Sequence, residues 1–320
     1  MYDLIIVGGG PAAVAAGVYA ARKRLRTLVV TENFESQSFV SDKIENWIGE
    51  ISISGFELAQ KLEKHLRAQE TITIQTGERA TSITTSNCTD GKRVCDFLIK
   101  TKQGNEYTAK SLIIVSGGRR RKLGIPGEEK FMGTGVAFCA TCDAPIFKDK
   151  DVAVVGGGNA GLEAVVDLLA YARKIYVVVR GDTLRGDPVT QEEVKKHDKV
   201  EIIYNAETQE ILGDKFVSGL RYKNLKINDE KSISIQGVFV EIGSVPNSEM
   251  VKELVELNKY GEIVVDAKTA ATSHPGIFAA GDVTDDIYKQ NNIAVGDGVR
   301  AALSAYNYIL NRKKETPASA

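Results

Sequence analysis

An apolar run that ends in three glycines occurs twice in this sequence, and few folds accommodate such a repeat. The first copy covers residues 3–10 and the second covers residues 151–158. In both copies an alanine-rich amphipathic segment follows the glycines, and a β-branched run follows that segment. This alternation is typical of a strand, a helix and a second strand in a parallel sheet. The repeat therefore predicts an α/β fold with two Rossmann-like domains.

The glycines of each copy stand where a strand is predicted to turn sharply into a helix. Glycine lets the backbone turn tightly and lets a pyrophosphate approach the helix N-terminus, where unpaired N–H groups favour negative charge. Each turn is therefore a predicted dinucleotide-binding site, and an ordinary tight turn is the alternative. The residues predicted to contact the two nucleotides are Gly8, Gly10, Pro11 and Ala12 in the first turn and Gly156, Gly158, Asn159 and Ala160 in the second.

The two repeats differ about 20 residues beyond the glycines, where the second strand ends. Glu32 stands at this place in the first repeat, and Arg180 stands there in the second. A carboxylate accepts hydrogen bonds from ribose hydroxyls, whereas an arginine pairs with an added 2′-phosphate. We therefore assign FAD to the first domain and NADPH to the second. Arg185 is a further candidate for the phosphate, and a solvated surface arginine is the alternative interpretation of both arginines.

The chain beyond the second repeat has no further features of the second domain. Residues 243–247 contain a glycine and a proline and resemble a hinge. Residues 274–283 then predict a strand that closes on Gly281 and Asp282. An aspartate at a strand end suits the ribityl or pyrophosphate part of a flavin. This last part of the chain, which also contains a predicted helix over 291–309, is therefore assigned to the first domain.

The second domain is consequently predicted to be inserted into the first. The FAD-binding domain would contain residues 1–121 and 246–320, and the NAD(P)-binding-like domain residues 122–245. A strand-like run over residues 233–240 belongs to the inserted part. The basic run of residues 119–122 lies at the first crossing, where it is either a solvated linker or a docking site for an acidic partner.

Cys139 and Cys142 form a Cys-x-x-Cys pair just before the glycine-rich strand of the second repeat. Two intervening residues let the sulfurs close a small disulfide ring, and the N–H groups at a helix start lower the pKa of a thiol. Such a thiolate attacks disulfides. Asp143 follows directly and could protonate the departing thiolate, with a solvated aspartate as the alternative. We interpret the pair as a redox-active dithiol.

Half of a zinc site would have the same Cys-x-x-Cys spacing. The other half is missing from the sequence, because Cys88 and Cys95 lie in a separate hairpin-like segment and the three histidines lack ligand spacing. We therefore predict no metal and interpret Cys88 and Cys95 as incidental.

The charge balance argues against two classes of partner. The 41 basic and 42 acidic residues give a net charge of −1, which provides no electrostatic footprint for nucleic acid or an anionic membrane. No apolar stretch approaches the roughly 20 residues that span a bilayer, and the N-terminus lacks the pattern of a signal peptide. We predict a cytoplasmic protein with no nucleic-acid or membrane partner.

Five elements of the sequence occur in the order found in one enzyme family. They are the N-terminal Gly-x-Gly-Pro-Ala, Ile44-Glu45-Asn46-Trp47-x-Gly49, Cys139-Ala-Thr-Cys142-Asp143, Gly156-Gly-Gly158-Asn, and Ala280-Gly281-Asp282-Val283 with Tyr288-Lys289-Gln290. In these elements, and along almost its full length, the chain resembles the low-molecular-weight thioredoxin reductases. Its C-terminal third also resembles the flavoprotein subunit of alkyl hydroperoxide reductase.

The resemblance implies a homodimer in which NADPH reduces FAD, the flavin reduces the cysteine pair, and the dithiol reduces thioredoxin or a thioredoxin-like protein. It also implies that Cys142 is the thiol nearer the flavin, that Cys139 attacks the partner's disulfide, and that the inserted domain rotates about its two crossings. With the first glycine turn and Glu32, the residues expected to hold FAD are Gln37, Asn46, Gly117, Asp282, Lys289, Gln290 and Asn291.

The chain departs from the family pattern at both nucleotide sites. Residues 34–37 keep the glutamine of the family's Gly-Gly-Gln element and lose its glycines. The second domain lacks one acid, one histidine and one arginine of the family's nicotinamide motifs and keeps Arg180 and Arg185. Three alternatives therefore stay open: an enzyme that takes electrons from ferredoxin or another donor, an FAD-dependent dithiol oxidase, and a flavin-binding redox sensor without turnover.

Overall fold

The computed structural model describes residues 1–39, 41, 44–88 and 94–315, with side chains up to residue 312. Both repeats form the strand, helix and strand that the sequence predicts. In chain order the elements are β1 (Tyr2–Val7), α1 (Pro11–Arg22), β2 (Thr27–Val30), α2 (Gly55–Arg67), β3 (Ile72–Gln75), β4 (Ala80–Ser86), β5 (Asp96–Thr101), β6 (Glu106–Ile114), β7 (Gly118–Arg120), β8 (Val136–Ala137), α3 (Ala140–Asp143), β9 (Asp151–Val155), α4 (Asn159–Leu169), β10 (Lys174–Val178), α5 (Pro188–Lys196), β11 (Val200–Ile203), β12 (Ala206–Gly213), β13 (Val217–Asn224), β14 (Asp229–Ser234), β15 (Gly237–Val240), β16 (Ser244–Pro246), β17 (Ile277–Ala279) and α6 (Asn291–Glu315), with 3₁₀ turns at Ala144–Phe147, Glu249–Val251 and Gly281–Val283.

The first sheet has seven strands, of which six follow the order β3-β2-β1-β6-β5-β4. The strands from β3 to β6 are parallel, whereas β5 and β4 pair antiparallel at one edge. Residues 4–7 of β1 are continuously apolar because both faces of the strand are buried there. Leu4 and Ile6 join one core cluster with α1 and α6, and Ile5 and Val7 join a second cluster on the opposite face.

The C-terminal part of the chain returns to this first sheet, as the sequence predicts. Strand β17 pairs in parallel with the last residues of β6, and Ile277 lies opposite Leu112. Helix α6 packs on α1, and a Cβ at Gly298 would lie 2.3 Å from the main-chain oxygen of Ala12. Glycine is therefore required for the two helices to approach this closely. Within the described ranges, no helix is both long and apolar enough to cross a membrane.

The second sheet contains five parallel strands in the order β11-β10-β9-β15-β8. A separate antiparallel sheet, β12-β13-β14, packs against it through a shared core that includes Val155, Leu220 and Tyr222. The predicted single run over residues 233–240 is wrong in one respect. It divides between β14 and β15, which belong to different sheets, because the buried Ile235 and the following Gln236 connect the two sheets.

The two predicted crossings lie side by side. Strand β7 pairs antiparallel with β16, and Val245 lies opposite Arg119. These two short strands form a separate two-stranded sheet. Along the chain, β7 connects β6 of the first sheet to β8 of the second, and β16 connects β15 of the second sheet to β17 of the first. The division at residues 121/122 and 245/246 stays our proposal for the domain boundaries.

Candidate active site

A cleft of about 750 Å³ lies at the carboxyl ends of β1, β2 and β6 of the first sheet, and the residues that follow these strands line it. Parallel α/β sheets bind their ligands at the carboxyl ends of the strands. The lining comes from both ends of the chain, because β17 and α6 return to this sheet. The residues predicted to bind FAD that line the cleft are Gly8, Gly10, Pro11, Ala12, Glu32, Gln37, Gly117, Asp282 and Asn291.

The first glycine turn forms a cradle at one wall of the cleft. A Cβ at Gly8 would lie 2.2 Å from the main-chain oxygen of Val115, and Gly8 has a φ of +135°. A Cβ at Gly10 would have only Ser36 within 4 Å, at 3.9 Å, so the backbone there is open to the cleft. Gly10 is also the N-cap of α1 and offers no side chain to the first turn. This arrangement suits the close approach of a pyrophosphate.

A group of charged side chains lies beyond the end of β2. Glu32 lines the cleft, and its carboxylate is 3.7 Å from the guanidinium of Arg79. Glu78 also lines the cleft, and its Oε2 atom is buried without a hydrogen-bond partner among the described residues. A buried carboxylate oxygen without a donor fits a ribose hydroxyl, so the cleft suits the adenosine part of FAD. The sequence interpretation missed Glu78 and Arg79, although both follow a parallel strand, β3, at its carboxyl end.

Gln37 and Asp282 are 245 positions apart and form a direct hydrogen bond. The Gln37 amide donates to Asp282 Oδ2 over 2.7 Å. Burial raises the pKa of Asp282, and the charges of Lys289 and Arg120, together with the hydrogen bond from Gln37, oppose that rise. The glutamine that remains of the family's Gly-Gly-Gln element therefore orients the aspartate at the end of β17.

The other predicted FAD residues, Asn46, Lys289 and Gln290, are not among the described residues that line the cleft. They form hydrogen bonds and an ion pair with other segments of the chain. The Asn46 amide donates to Gln290 over 3.4 Å, and the Asn292 amide donates to the Asn46 main-chain oxygen over 2.7 Å. Lys289 forms an ion pair with Glu262 at 3.1 Å. Asn46 and Gln290 therefore hold segments 46–48 and 290–292 together.

The second glycine turn repeats the geometry of the first. Gly156 has a φ of +139°, and a Cβ at Gly158 would meet no atom within 4 Å. Gly158 is the N-cap of α4, and the next residue, Asn159, accepts the main-chain N–H of Asp187 over 2.7 Å. Ala160 follows in the first turn of the helix and is exposed. This turn can also receive a pyrophosphate.

The two predicted phosphate-binding arginines occupy different places. Arg180 forms an ion pair with Glu207, at 3.0 Å between Nη2 and Oε1. Arg185 is exposed, and its main-chain N–H donates to the Gly157 oxygen over 2.7 Å. Arg185 thus lies beside the glycine turn, whereas Arg180 lies just beyond the end of β10.

Cys139 and Cys142 form a disulfide, with their Cα atoms 5.3 Å apart. Cys139 is the N-cap of α3, and its main-chain oxygen accepts the N–H of Asp143 over 3.0 Å. Both cysteines and Asp143 are partly exposed. Thr141, between the cysteines, donates to Asp167 of α4 over 2.7 Å, which fixes the motif on the second sheet's first helix. The disulfide is accessible from solvent and anchored to the inserted part of the chain.

Glu241 follows β15 directly and is 9% exposed. Burial raises the pKa of Glu241 to about 7, and the charge of Arg120 opposes this rise. The negative charges of Asp143, Asp167 and Glu163 add to it. The sequence interpretation missed Glu241, although its place at the carboxyl end of a parallel strand, opposite the Gly156 turn, is where such sheets bind ligands.

The raised pKa of Glu241 predicts a pH dependence of stability. The unfolded chain loses this proton near pH 4.5 and the folded chain near pH 7, so stability falls as the pH rises through that window. We expect Glu241→Gln to raise the free energy of unfolding by about 2 kcal/mol more at pH 8 than at pH 5. Urea unfolding at both pH values measures this difference. Glu70→Gln, at an exposed carboxyl that does not contribute to the pKa of Glu241, is the control, and an equal response of both variants contradicts the assignment.

Cys88 and Cys95 form a second disulfide, which corrects the expectation that they are incidental. Cys95 is buried, and its main-chain oxygen accepts a hydrogen bond from Arg312 of α6 over 2.8 Å. Arg312 also forms an ion pair with Asp96 at 2.6 Å. The residues between the two cysteines, 89–93, lie outside the described part of the chain. The disulfide joins Cys88, just after β4, to Cys95, just before β5, and Arg312 connects Cys95 and Asp96 to the last helix.

This second disulfide is expected to contribute to stability. A cross-link across so short a loop lowers the entropy of the unfolded chain by an amount worth about 2 kcal/mol. We therefore expect Cys88→Ser to lower the free energy of unfolding by about 2 kcal/mol. Urea unfolding with and without a thiol reductant measures the effect. If the reductant destabilises the variant and the natural chain equally, this prediction is wrong.

The basic run at the first crossing is paired within the chain at two positions. Arg119 donates to Asn247 over 2.6 Å and to Glu249 over 2.7 Å. Lys122 forms an ion pair with Glu129 at 2.9 Å. Arg119 and Asn247 both line the cleft, so this run contributes to the wall of the predicted FAD site.

Comparison with known proteins gives one consistent family. The family model for pyridine nucleotide-disulphide oxidoreductases matches residues 2–298. Over 97% of this chain, the sequence is 40% identical to an NADH dehydrogenase of Bacillus subtilis and 43% identical to an alkyl hydroperoxide reductase subunit of Pseudomonas aeruginosa. The chain spans 59% and 58% of the length of these two curated relatives.

A solved structure matches the whole fold. Thioredoxin reductase from Streptococcus pyogenes is 35% identical and superposes with a TM-score of 0.87, covering 97% of this chain and 99% of that one. FAD and NAD(P)H are the cofactors that this family implies, and both glycine turns have the geometry that such nucleotides need. The chain therefore belongs to the pyridine nucleotide-disulphide oxidoreductases, with the fold of the low-molecular-weight thioredoxin reductases.

Proposed function

We propose that this protein is an FAD-dependent reductase of a disulfide in thioredoxin or a thioredoxin-like protein. The observation that carries the proposal is the Cys139–Cys142 disulfide, which is partly exposed and is attached to a nucleotide-binding unit. A pair spaced in this way can be reduced on one side and can attack a protein disulfide on the other. The thioredoxin reductase from Streptococcus pyogenes supports this choice of partner.

Bound FAD would supply two-electron transfer between a nicotinamide and a disulfide. The Cys139–Cys142 disulfide would take up two electrons and two protons and become a dithiol. The Cys139 thiolate would then attack one sulfur of the partner's disulfide, form a mixed disulfide and release the other sulfur as a thiolate, which a protonated Asp143 could neutralise. The Cys142 thiolate would attack Cys139 Sγ, which restores the disulfide and releases the partner's second thiol.

The FAD site would be formed by the first glycine turn, Glu32, Gln37, Gly117, Asp282 and Asn291. The segment between Arg119 and Asn247, which carries the cysteines, contributes no residue to the cleft lining within the described part of the chain. The disulfide would therefore reach the flavin through a movement of the inserted unit. The paired crossings, β7 and β16, would be the hinge of that movement. A homodimer stays a prediction.

An assay with purified components tests the proposal. The FAD-loaded protein is mixed with a nicotinamide nucleotide and an oxidised thioredoxin, and free thiols on thioredoxin are counted. We expect nucleotide-dependent thiol formation. If only a reduced ferredoxin supports thiol formation, the assignment of a nicotinamide nucleotide as electron donor is wrong. If a small dithiol instead yields an equal amount of peroxide, the protein is an oxidase. A flavin that is reduced without any turnover would indicate a redox sensor.

A further inference from the structure

The residue that pairs with Arg180 lies on another strand, at the place where the second nucleotide's adenosine is expected. The Ala206 N–H donates to the Val179 oxygen over 3.0 Å, and the Asn205 N–H donates to the Gly181 oxygen over 2.8 Å. These two hydrogen bonds hold the start of β12 against the end of β10. The side chain of Glu207 consequently reaches Arg180 in a fixed register.

The carboxylate of Glu207 is held from two sides. Arg180 contacts Oε1 at 3.0 Å, and the Gln209 amide donates to Oε2 over 3.1 Å. The side chain of Glu207 is 35% exposed and that of Arg180 is 79% exposed. Glu207 is therefore the less exposed partner, and its carboxylate contacts the guanidinium of Arg180.

A carboxylate at the end of the second Rossmann strand accepts hydrogen bonds from the 2′- and 3′-hydroxyls of an adenosine ribose, and Glu207 brings a carboxylate beside that strand end from β12. The same carboxylate repels a 2′-phosphate, and it competes with that phosphate for Arg180. The backbone of Arg185 is bonded to Gly157 at the glycine turn, whereas Arg180 lies just beyond the end of β10, where the 2′ position is expected.

We infer that Glu207 is a specificity-determining residue that makes NADH, rather than NADPH, the preferred nucleotide of the second glycine turn. Arg180 alone predicts NADPH, and its pairing with Glu207 reverses that preference. This inference rests on the proposed function only in that the second turn binds a nicotinamide nucleotide. It adds which of the two nucleotides binds and which side chain selects it.

Calorimetric titration of the FAD-loaded protein tests the inference without turnover. The probes are adenosine 5′-monophosphate and adenosine 2′,5′-bisphosphate, which differ only by the 2′-phosphate. We expect the monophosphate to bind more tightly to the natural chain, and we expect Glu207→Gln to tighten binding of the bisphosphate by about tenfold, the effect of removing one repulsion worth about 1.4 kcal/mol. Glu210→Gln is the matched control, because Glu210 lies on the same strand and pairs with Arg221.

The second measurement is the ratio of the steady-state kcat/KM for NADH to the kcat/KM for NADPH. This ratio should fall by about tenfold in Glu207→Gln and stay unchanged in Glu210→Gln. Three results would each overturn the inference. The natural chain could prefer the bisphosphate, Glu207→Gln could leave binding unchanged, or the second turn could bind neither probe. If the probes bind as expected and thioredoxin is not reduced, the inference stands and the proposed function fails.

Discussion

Replacing Cys142 by serine should abolish the reduction of thioredoxin while FAD stays bound. The substitution removes one sulfur of the only disulfide that lies on the inserted segment among the described residues. Without it the mixed disulfide at Cys139 cannot be resolved, so we expect the rate to fall by at least about a thousandfold. Thiol formation on thioredoxin measures the rate, and the visible absorption of the flavin measures the bound FAD.

Cys88→Ser is the matched control for this variant. It breaks the other disulfide, which joins Cys88 to Cys95 beside the last helix, and should leave the rate unchanged at a temperature where the protein is folded. Comparable rates in Cys142→Ser and in the natural chain would remove the Cys139–Cys142 pair from the reaction. Equal losses in both serine variants would point to a general effect of breaking a disulfide.

Replacing Gly10 by valine should produce a folded protein that has lost its flavin. The nearest atom to a Cβ at this position, in Ser36, is 3.9 Å away, so the fold has room for a side chain. The side chain would occupy the space that a pyrophosphate needs at the start of α1. We expect the affinity for FAD to fall by at least about a hundredfold. The absorbance ratio of flavin to protein measures the loss, and far-ultraviolet circular dichroism verifies the fold.

Gly158→Val provides a control of the same chemistry at the other repeat. Gly158 is the N-cap of α4, as Gly10 is the N-cap of α1, and a Cβ there also meets open space. This variant should keep its FAD and lose its affinity for ADP. If Gly10→Val keeps FAD, or if both variants lose it, the assignment of one cofactor to each turn is incorrect.

The fold could be predicted because its strongest signals are local. Each glycine turn depends on residues adjacent in the sequence, and Gly8 and Gly156 both adopt the positive φ that only glycine tolerates well. The return of the C-terminal part was also predictable, because residues 274–283 contain an apolar run, observed as β17, that is followed by Gly281 and Asp282. The prediction of one strand over residues 233–240 was wrong, because the buried Ile235 between β14 and β15 makes two strands of different sheets look like one continuous run.

The parts of the site that were missed depend on contacts between distant residues. The signal for Arg180 was its place at a strand end, but the carboxylate that pairs with it comes from a different sheet, at Glu207. The partner of Gln37 is 245 positions away. Glu78 and Glu241 could have been found by taking every acidic residue just beyond a parallel strand as a candidate. The Cys88–Cys95 disulfide depends on the pairing of β4 with β5, which hydrophobic pattern alone does not determine.

The proposed mechanism passes electrons from a nicotinamide nucleotide through FAD to the Cys139–Cys142 disulfide. Its most direct test is an anaerobic titration of the oxidised, FAD-loaded protein with NADH, in a Cys88→Ser/Cys95→Ser background that retains one disulfide. The flavin and the disulfide each accept two electrons, so we predict consumption of about two equivalents of NADH per chain. The number should fall to about one when Cys142 is also replaced by serine. A titration that ends at about one equivalent with Cys139 and Cys142 still joined would contradict this mechanism.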